Sequence, residues 1–418
     1  MEKSILFNNE KNLFGGLNCV CEFCHNEVDK EELIDVMTGQ NQTKKMCKAC
    51  RKKHGIETEK DVIDDLRENI KTPIEIVKEL DKYVVGQDDV KKAIAVEVYN
   101  HFLRITNKDV LGEARLKKNN IMLTGQSGTG KTLIAQSLAN ILGVPFAIAN
   151  ATALTESGYV GKDVESVLSV LLKNSGMNPN RAKYGIVFID EIDKIAKKGD
   201  TVSITRDVSG EGVQQALLTM VEGTIIGVPE QEGRVHPQQK LIDIDTTDIL
   251  FICGGAFDGI EDIVKDRLKV GKDSKSIGFN AVTQNKEEIS EKDIRLSIEI
   301  DDLQRYGMIP EFLGRFPALC NLEPLDIEKL VAILKAENGL LKEYELLLKL
   351  QNKELKFEKE SLEMIAKIAL ERKVGARALR SVMTSFMRDL MFYAPTDNKD
   401  AYNISNEDIS NFFNAKAI

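Results

Sequence analysis

Gly125-Gln126-Ser127-Gly128-Thr129-Gly130-Lys131-Thr132 is a complete G-x-x-x-x-G-K-[ST] run. It lies between the apolar stretch NIMLT (120–124) and the helix-patterned TLIAQSLANIL, the context such a motif needs. Glycines let backbone N–H groups curl around phosphates, and the helix N-terminus adds partial positive charge. Lys131 is placed to reach the terminal phosphates and the Thr132 hydroxyl to ligate Mg²⁺. A second apolar stretch, GIVFI (185–189), ends in Asp190-Glu191. At the carboxyl edge of a parallel sheet, Asp190 would hold Mg²⁺ through water and Glu191 would orient and deprotonate an attacking water. An acidic pair after a strand is by itself more often a helix N-cap with a first-turn acid. Downstream of this loop it reads as a catalytic pair.

Four further groups carry chemistry. Arg315 (IPEFLGRFP) and Arg377 (KVGARALR) are of the residue type that clamps phosphate with several donors, although a lone arginine is by default a solvated charge. Cys21, Cys24, Cys47 and Cys50 form two C-x-x-C pairs separated by 22 residues, suited to a closed tetrahedral Zn²⁺ site. His25 or His54 could replace a thiolate there. Tyr159 and Val160 stand between Gly158 and Gly161 in a polar stretch, where a buried strand would not place glycines at both ends. Ile277-Gly278-Phe279 sets two large apolar residues in a polar segment, a pattern fitting either a peptide that enters a pocket or a short half-buried strand.

These groups need elements to hold them. From 72 onward the chain alternates strand-like runs, including DILFIC (248–253), with amphipathic helices, which predicts a parallel sheet covered by helices. After Pro324 the pattern is helical. The expected divisions are a cysteine-rich domain at 1–54, an acidic linker or weakly helical connector at 55–71, a large α/β part at 72–323 and a small helical part at 324–418. Hydrophobic residues make up 42% of the 418 and charged residues 29%, an ordinary globular balance. The net charge of −9 argues against nucleic acid as the main partner, and no apolar run approaches the ~20 residues of a membrane helix. With no signal-peptide core at the start, a cytoplasmic protein is expected. Six Lys or Arg between Lys44 and Lys53 leave open a nucleic-acid-binding zinc ribbon beside a plain solvated face.

The strings GYVG, GQSGTGKT, FIDEIDKI, SITRDVSGEGVQQALL, IPEFLGR and GAR together resemble the ClpX family of AAA+ protein-unfolding ATPases over essentially the whole chain. The resemblance implies a P-loop AAA+ parallel-sheet domain with a small C-terminal helical subdomain, preceded by a treble-clef-like zinc-binding domain that dimerises and recruits adaptors. It implies ATP and Mg²⁺ as cofactors, a homo-hexameric ring and a ClpP-like peptidase ring as partner. Residue by residue, Arg315 matches a finger reaching into the neighbouring subunit's ATP, Arg377 a second sensor, and Val84 and Val85 the segment against adenine. Tyr159 and Val160 match a loop that grips polypeptide in the axial channel, and Arg206 falls in a second channel loop. Arg234 and His236 match the channel-entrance loop, whose middle position, usually lysine, is Val235 here. Ile277, Gly278 and Phe279 match the tripeptide that docks on ClpP. The first sensor, near Cys253-Gly254-Gly255, lacks the usual asparagine or threonine, so no residue is assigned to it.

Overall fold

A computed structural model describes residues 18–38, 42–111, 116–155, 162–197, 210–229, 241–273, 289–372 and 374–416. The chain divides into two units, Met1–Asp65 and Leu66–Ile418.

The first unit has two antiparallel strand pairs, β1 (Asn18–Val20) with β2 (Glu27–Asp29) and β3 (Ile34–Thr38) with β4 (Gln42–Met46), followed by helix α1 (Lys48–His54). Its small core consists of Cys21, Met46, Cys47 and Cys50, with Phe23, Val28, Leu33 and Val36 packed around them. So few apolar residues bury little surface, and the cysteines occupy the centre. The stretch expected to be a linker or a weakly helical connector is helical over α2 (Glu59–Asn69), and the first half of that helix belongs to this unit. Local chemistry explains the helix. The Thr58 hydroxyl accepts from the Asp61 backbone N–H at 3.3 Å, the Asp61 carboxylate accepts from Thr58 N–H at 3.0 Å, and Glu59 and Asp61 complement the N-terminal dipole.

Asp61 also anchors the unit. Arg51, only 2% exposed, donates from Nε to Asp61 Oδ2 at 2.7 Å and from Nη2 to Oδ1 at 2.5 Å. Its Nη1 donates to the Glu32 and Met46 carbonyls.

The second unit is built on a five-stranded, fully parallel sheet. Its strands are β5 (Ile121–Thr124), β6 (Phe146–Asn150), β7 (Ile186–Asp190), β8 (Leu250–Gly255) and β9 (Ala318–Asn321), in spatial order β9-β5-β8-β7-β6. β5 and β8 are buried along their whole length, which is why those stretches read as unbroken apolar runs rather than alternating ones. The helices that matter for the site are α3 (Pro73–Leu80), α4 (Asp88–Thr106), α5 (Lys131–Leu142) and α6 (Glu211–Glu222). α3 starts at a Thr72/Glu75 capping box with Pro73 in the first turn.

The C-terminal part is helical, with one exception. α7 (Ile327–Lys335) and α8 (Leu340–Lys349) are separate helices where the sequence reads as one continuous pattern. α9 (Lys359–Glu371), α10 (Ala376–Tyr393) and α11 (Asn406–Lys416) follow, and β10 (Glu354–Phe357) pairs in parallel with β11 (Ala401–Ile404). Among the described residues, no helix is long and apolar enough to cross a membrane.

Burial opposes ionisation of Asp61, but Arg51 and the Thr58 donors outweigh it and hold the carboxyl at about 2. A depressed folded-state value means that this contribution is present above the ordinary carboxylate range near ~4 and is lost as pH falls towards about 2. Asp61→Asn leaves a buried guanidinium without its counter-charge, at a cost of about 3–5 kcal/mol. Amide hydrogen exchange across α1, measured in the whole chain at neutral pH, is expected to accelerate at least ~100-fold; unchanged protection would contradict the anchoring role.

Candidate nucleotide site and cysteine cluster

The phosphate-loop residues leave the carboxyl edge of β5, and Gly125 N–H donates to the Gly255 carbonyl at 3.1 Å, tying the loop to the end of β8. The loop borders a cleft of about 650 Å³, lined on one side by Ser127, Gly128, Gly130, Lys131 and Thr132 and on the other by residues of the C-terminal part. Gln126 donates to Glu291 at 2.8 Å, and the Thr129 hydroxyl donates to the Gln126 carbonyl at 2.8 Å. Lys131 folds onto the loop, its Nζ donating to the carbonyls of Gly125 at 2.5 Å and Gln126 at 3.1 Å. Burial pushes its ammonium down to about 8, against the pull of nearby Asp190. A phosphate would supply the charge and the acceptors that this lysine now takes from its own backbone.

The two motifs meet in space. Thr132 Oγ1 donates to Asp190 Oδ2 at 2.9 Å, bringing together the hydroxyl and carboxylate that would share a divalent cation. Glu191 has left-handed backbone geometry (φ 57°), uncommon for a non-glycine residue, and its N–H donates to Asp190 Oδ1 at 2.9 Å. Its side chain is held by a residue outside both motifs: Asn150 Nδ2, at the end of β6, donates to Glu191 Oε2 at 3.0 Å. The register that pairs Asn150 with Asp190 across two parallel strands carried this signal, and register is not visible in a single sequence.

The far wall of the cleft carries Arg377, whose Nη1 lies 3.4 Å from Ser127 Oγ. The approach is made by bare backbone. Gly375 has φ 60° and ψ −148°, and a Cβ there would lie 2.4 Å from the Ser127 carbonyl oxygen; one on Gly128 would lie 2.5 Å from the Val374 oxygen. Ala376 N–H donates to the Gly128 carbonyl at 3.2 Å, so the start of α10 is hydrogen-bonded to the phosphate loop itself. Val85 lines the cleft together with Tyr83, Ile333 and Leu340, whereas Val84 is buried and is not among the lining residues. The break between α7 and α8 has a place here, because Ala336, Asn338 and Gly339 line the cleft. At the end of β8, a Cβ on Gly254 would lie 2.7 Å from the Phe188 ring, so no side chain fits there and Ala256 is the neighbour that reaches the cleft.

Arg315 is elsewhere. It precedes β9, and its carbonyl accepts from Asn120 Nδ2, just before β5, at 2.9 Å. It therefore sits at the amino edge of the sheet, while the phosphate loop leaves the carboxyl edge, separated by a four-residue strand of roughly 13 Å. Tyr159, Val160, Arg206, Arg234, His236, Ile277, Gly278 and Phe279 lie outside the described residues. The flanks of 156–161 are described: Leu154–Thr155 and Lys162–Asp163 pair in parallel, so both ends of that segment start side by side.

In the first unit, the Sγ atoms of Cys21, Cys24, Cys47 and Cys50 all lie within 4.8 Å of one another, with Cys21–Cys50 at 3.9 Å and Cys24–Cys47 at 3.7 Å. A tetrahedral Zn²⁺ with Zn–S bonds near 2.3 Å places its sulfurs roughly 3.8 Å apart, so the four thiols fit that ion. Burial opposes ionisation of Cys21, but N–H donors of Cys24, Cys47 and Phe23 take it down to about 6, while burial and its neighbours push Cys50 up to about 12. Four clustered thiols cannot all ionise without a cation, and a divalent metal removes that conflict.

A family model described as AAA domain (Cdc48 subfamily) matches residues 116–319, and one for the C-terminal D2-small domain of ClpB protein matches residues 325–403. The chain is an AAA ATPase. It is 48% identical over 334 residues to the ATP-dependent Clp protease ATP-binding subunit ClpX of Bacteroides thetaiotaomicron, covering 80% of each chain. It is 48% identical to that of Bacteroides fragilis, over 80% of this chain and 79% of the relative, and 47% identical to that of Porphyromonas gingivalis, over 80% of each. The chain belongs to the ClpX family.

Gly375→Ala would place a side chain in a glycine-only backbone region and against the Ser127 carbonyl, a strain of about 1–3 kcal/mol. The C-terminal part must then lift off the phosphate loop. Affinity for a fluorescent ATP analogue is expected to fall about tenfold or more, with the thermal melt showing a folded protein; an unchanged affinity would mean that the glycine contact does not shape the site.

Proposed function

We propose that this chain is an ATP-driven protein unfoldase and translocase that works in the cytoplasm as a homo-hexameric ring and delivers threaded polypeptide to a ClpP-type peptidase. The observation that carries this reading is the separation of Arg315 from its own cleft. An arginine at the opposite edge of the sheet serves a nucleotide only if that nucleotide is held by the next copy, and head-to-tail contacts of that kind close into rings. The names of the relatives, protease ATP-binding subunits, support the partner.

Within one site, Lys131 and the loop amides bind the phosphates, and Thr132 with Asp190 holds Mg²⁺. Glu191 acts as the base once it leaves Asn150 and turns to an attacking water. Val85 and Tyr83 pack against the base of the nucleotide, and Arg377 ties the state of the phosphates to α10 and the C-terminal part. ATP and Mg²⁺ are the cofactors of this unit. Zn²⁺ held by Cys21, Cys24, Cys47 and Cys50 supports the first unit, which serves dimerisation and the recruitment of adaptors or substrates.

The grip on substrate falls to Tyr159 and Val160. A contact that must accept any sequence needs apolar area rather than directional hydrogen bonds, and an aromatic ring supplies it. Arg206, Arg234 and His236 extend the path, and Val235 makes the entrance less basic than is usual in the family. Ile277, Gly278 and Phe279 dock on the peptidase ring.

Measuring ATP turnover together with unfolding of a tagged fluorescent protein tests this reading. Tyr159→Ala is expected to keep turnover within about twofold while unfolding falls at least ~tenfold. Wild-type protein that hydrolyses ATP, unfolds no tagged substrate and is stimulated by DNA would overturn it.

A further inference from the structure

Arg315 has a partner in its own chain. Its Nη2 and Nε donate to Glu222 Oε1 at 2.5 and 3.1 Å, with both side chains about half exposed. Glu222 is the last residue of α6, an end at which the helix dipole disfavours a carboxylate, and the last turn of α6 carries no basic residue to offset it. The pair borders a hollow of about 750 Å³ whose wall also includes Arg104, Lys108 and Lys117. The other carboxylate of that wall, Asp248, is engaged by Arg104 at 3.0 Å and by Lys108.

The backbone of Arg315 is held quite differently from its side chain. Its carbonyl is fixed by Asn120, which is 2% exposed and also accepts from Phe251 N–H at 3.2 Å. The main chain is thus pinned to the sheet, while the guanidinium is held by one exposed ion pair. Such pairs shift an equilibrium by no more than about fivefold and weaken with salt. A triphosphate offers the guanidinium more charge and more acceptors than one carboxylate does.

We propose that Glu222 is a positioning residue that parks Arg315 at the amino edge of the sheet and yields it to the terminal phosphates of a nucleotide bound by the next copy of this chain. The inference rests on the trans-acting reading of Arg315 given above. Parked and engaged arginine are two states of one side chain, so whatever stabilises the first weakens the second by the same factor. Glu222 then sets the threshold for engagement rather than the rate of the chemical step. Because Glu222 ends α6 and Arg315 precedes β9, the hand-over also reports engagement to the helix that follows segment 198–209.

The test is steady-state ATP turnover by full-length protein across ATP concentrations, at low and at high salt. Glu222→Gln is expected to lower the KM for ATP about two- to fivefold at low salt with kcat unchanged, and the difference should shrink at high salt. Glu222→Asp, which restores the charge, should return KM towards wild type. A fall in kcat with KM unchanged would show that the carboxylate orients the engaged arginine instead; no change in either constant would show an inert pair. Each of these outcomes overturns the proposal. Arg315→Ala run in parallel tests the underlying reading: it should abolish turnover. If Arg315→Ala turns over normally, the trans-acting reading fails whatever Glu222 does.

Discussion

The nucleotide site depends on one approach of backbone to backbone, Gly128 against Gly375, with no side chain between them. Most clefts between two parts of a chain are lined by side chains that can give way. Here the carbonyls of Ser127 and Val374 stand within 2.5 Å of where a Cβ would begin, and the Ala376 N–H donates directly to the Gly128 carbonyl. Anything that changes the shape of the phosphate loop therefore moves the start of α10, and α10 runs 18 residues through the C-terminal core. Arg377 follows that contact by two residues, and its guanidinium lies 3.4 Å from Ser127 Oγ of the phosphate loop. The C-terminal part is thereby joined to the phosphate loop by direct backbone contacts rather than through a flexible tether.

The parallel sheet supplies the second constraint. All five strands point the same way, so one edge collects the loops that bind phosphate and the other collects what precedes each strand. Lys131, Thr132, Asp190, Glu191 and Asn150 belong to the first edge, and Arg315 with Asn120 to the second. No loop rearrangement within one chain carries Arg315 across the sheet. Within its own chain, Arg315 pairs with Glu222.

Much of this was legible in the sequence, and the exceptions share a physical reason. The phosphate loop, the acidic pair and the cysteine pairs are contiguous strings whose chemistry is local, so a single sequence displays them. What the sequence did not reveal depends on register or tertiary approach. Asn150 reaches Glu191 only because β6 and β7 pair with Asn150 opposite Asp190. Val84 and Val85 are neighbours in one apolar pair, and only tertiary packing decides that Val85 faces the cleft while Val84 is buried. The acidic stretch after residue 55 left a linker and a weakly helical connector open, because the partner that fixes it, Arg51, is buried on a different helix. The continuous helical pattern from Ile327 conceals a break between Lys335 and Leu340, where Ala336, Asn338 and Gly339 line the cleft.

The central claim is that each site is completed by a second copy of the chain. Mixing two inactive variants tests it directly: Glu191→Gln, which keeps Arg315, and Arg315→Ala, which keeps Glu191. In a head-to-tail ring every site has one neighbour, so a random equimolar mixture should recover about a quarter of wild-type ATP turnover, from Arg315→Ala subunits that receive an intact Arg315 from the next subunit. A mixture that stays as inactive as its two components would contradict the account.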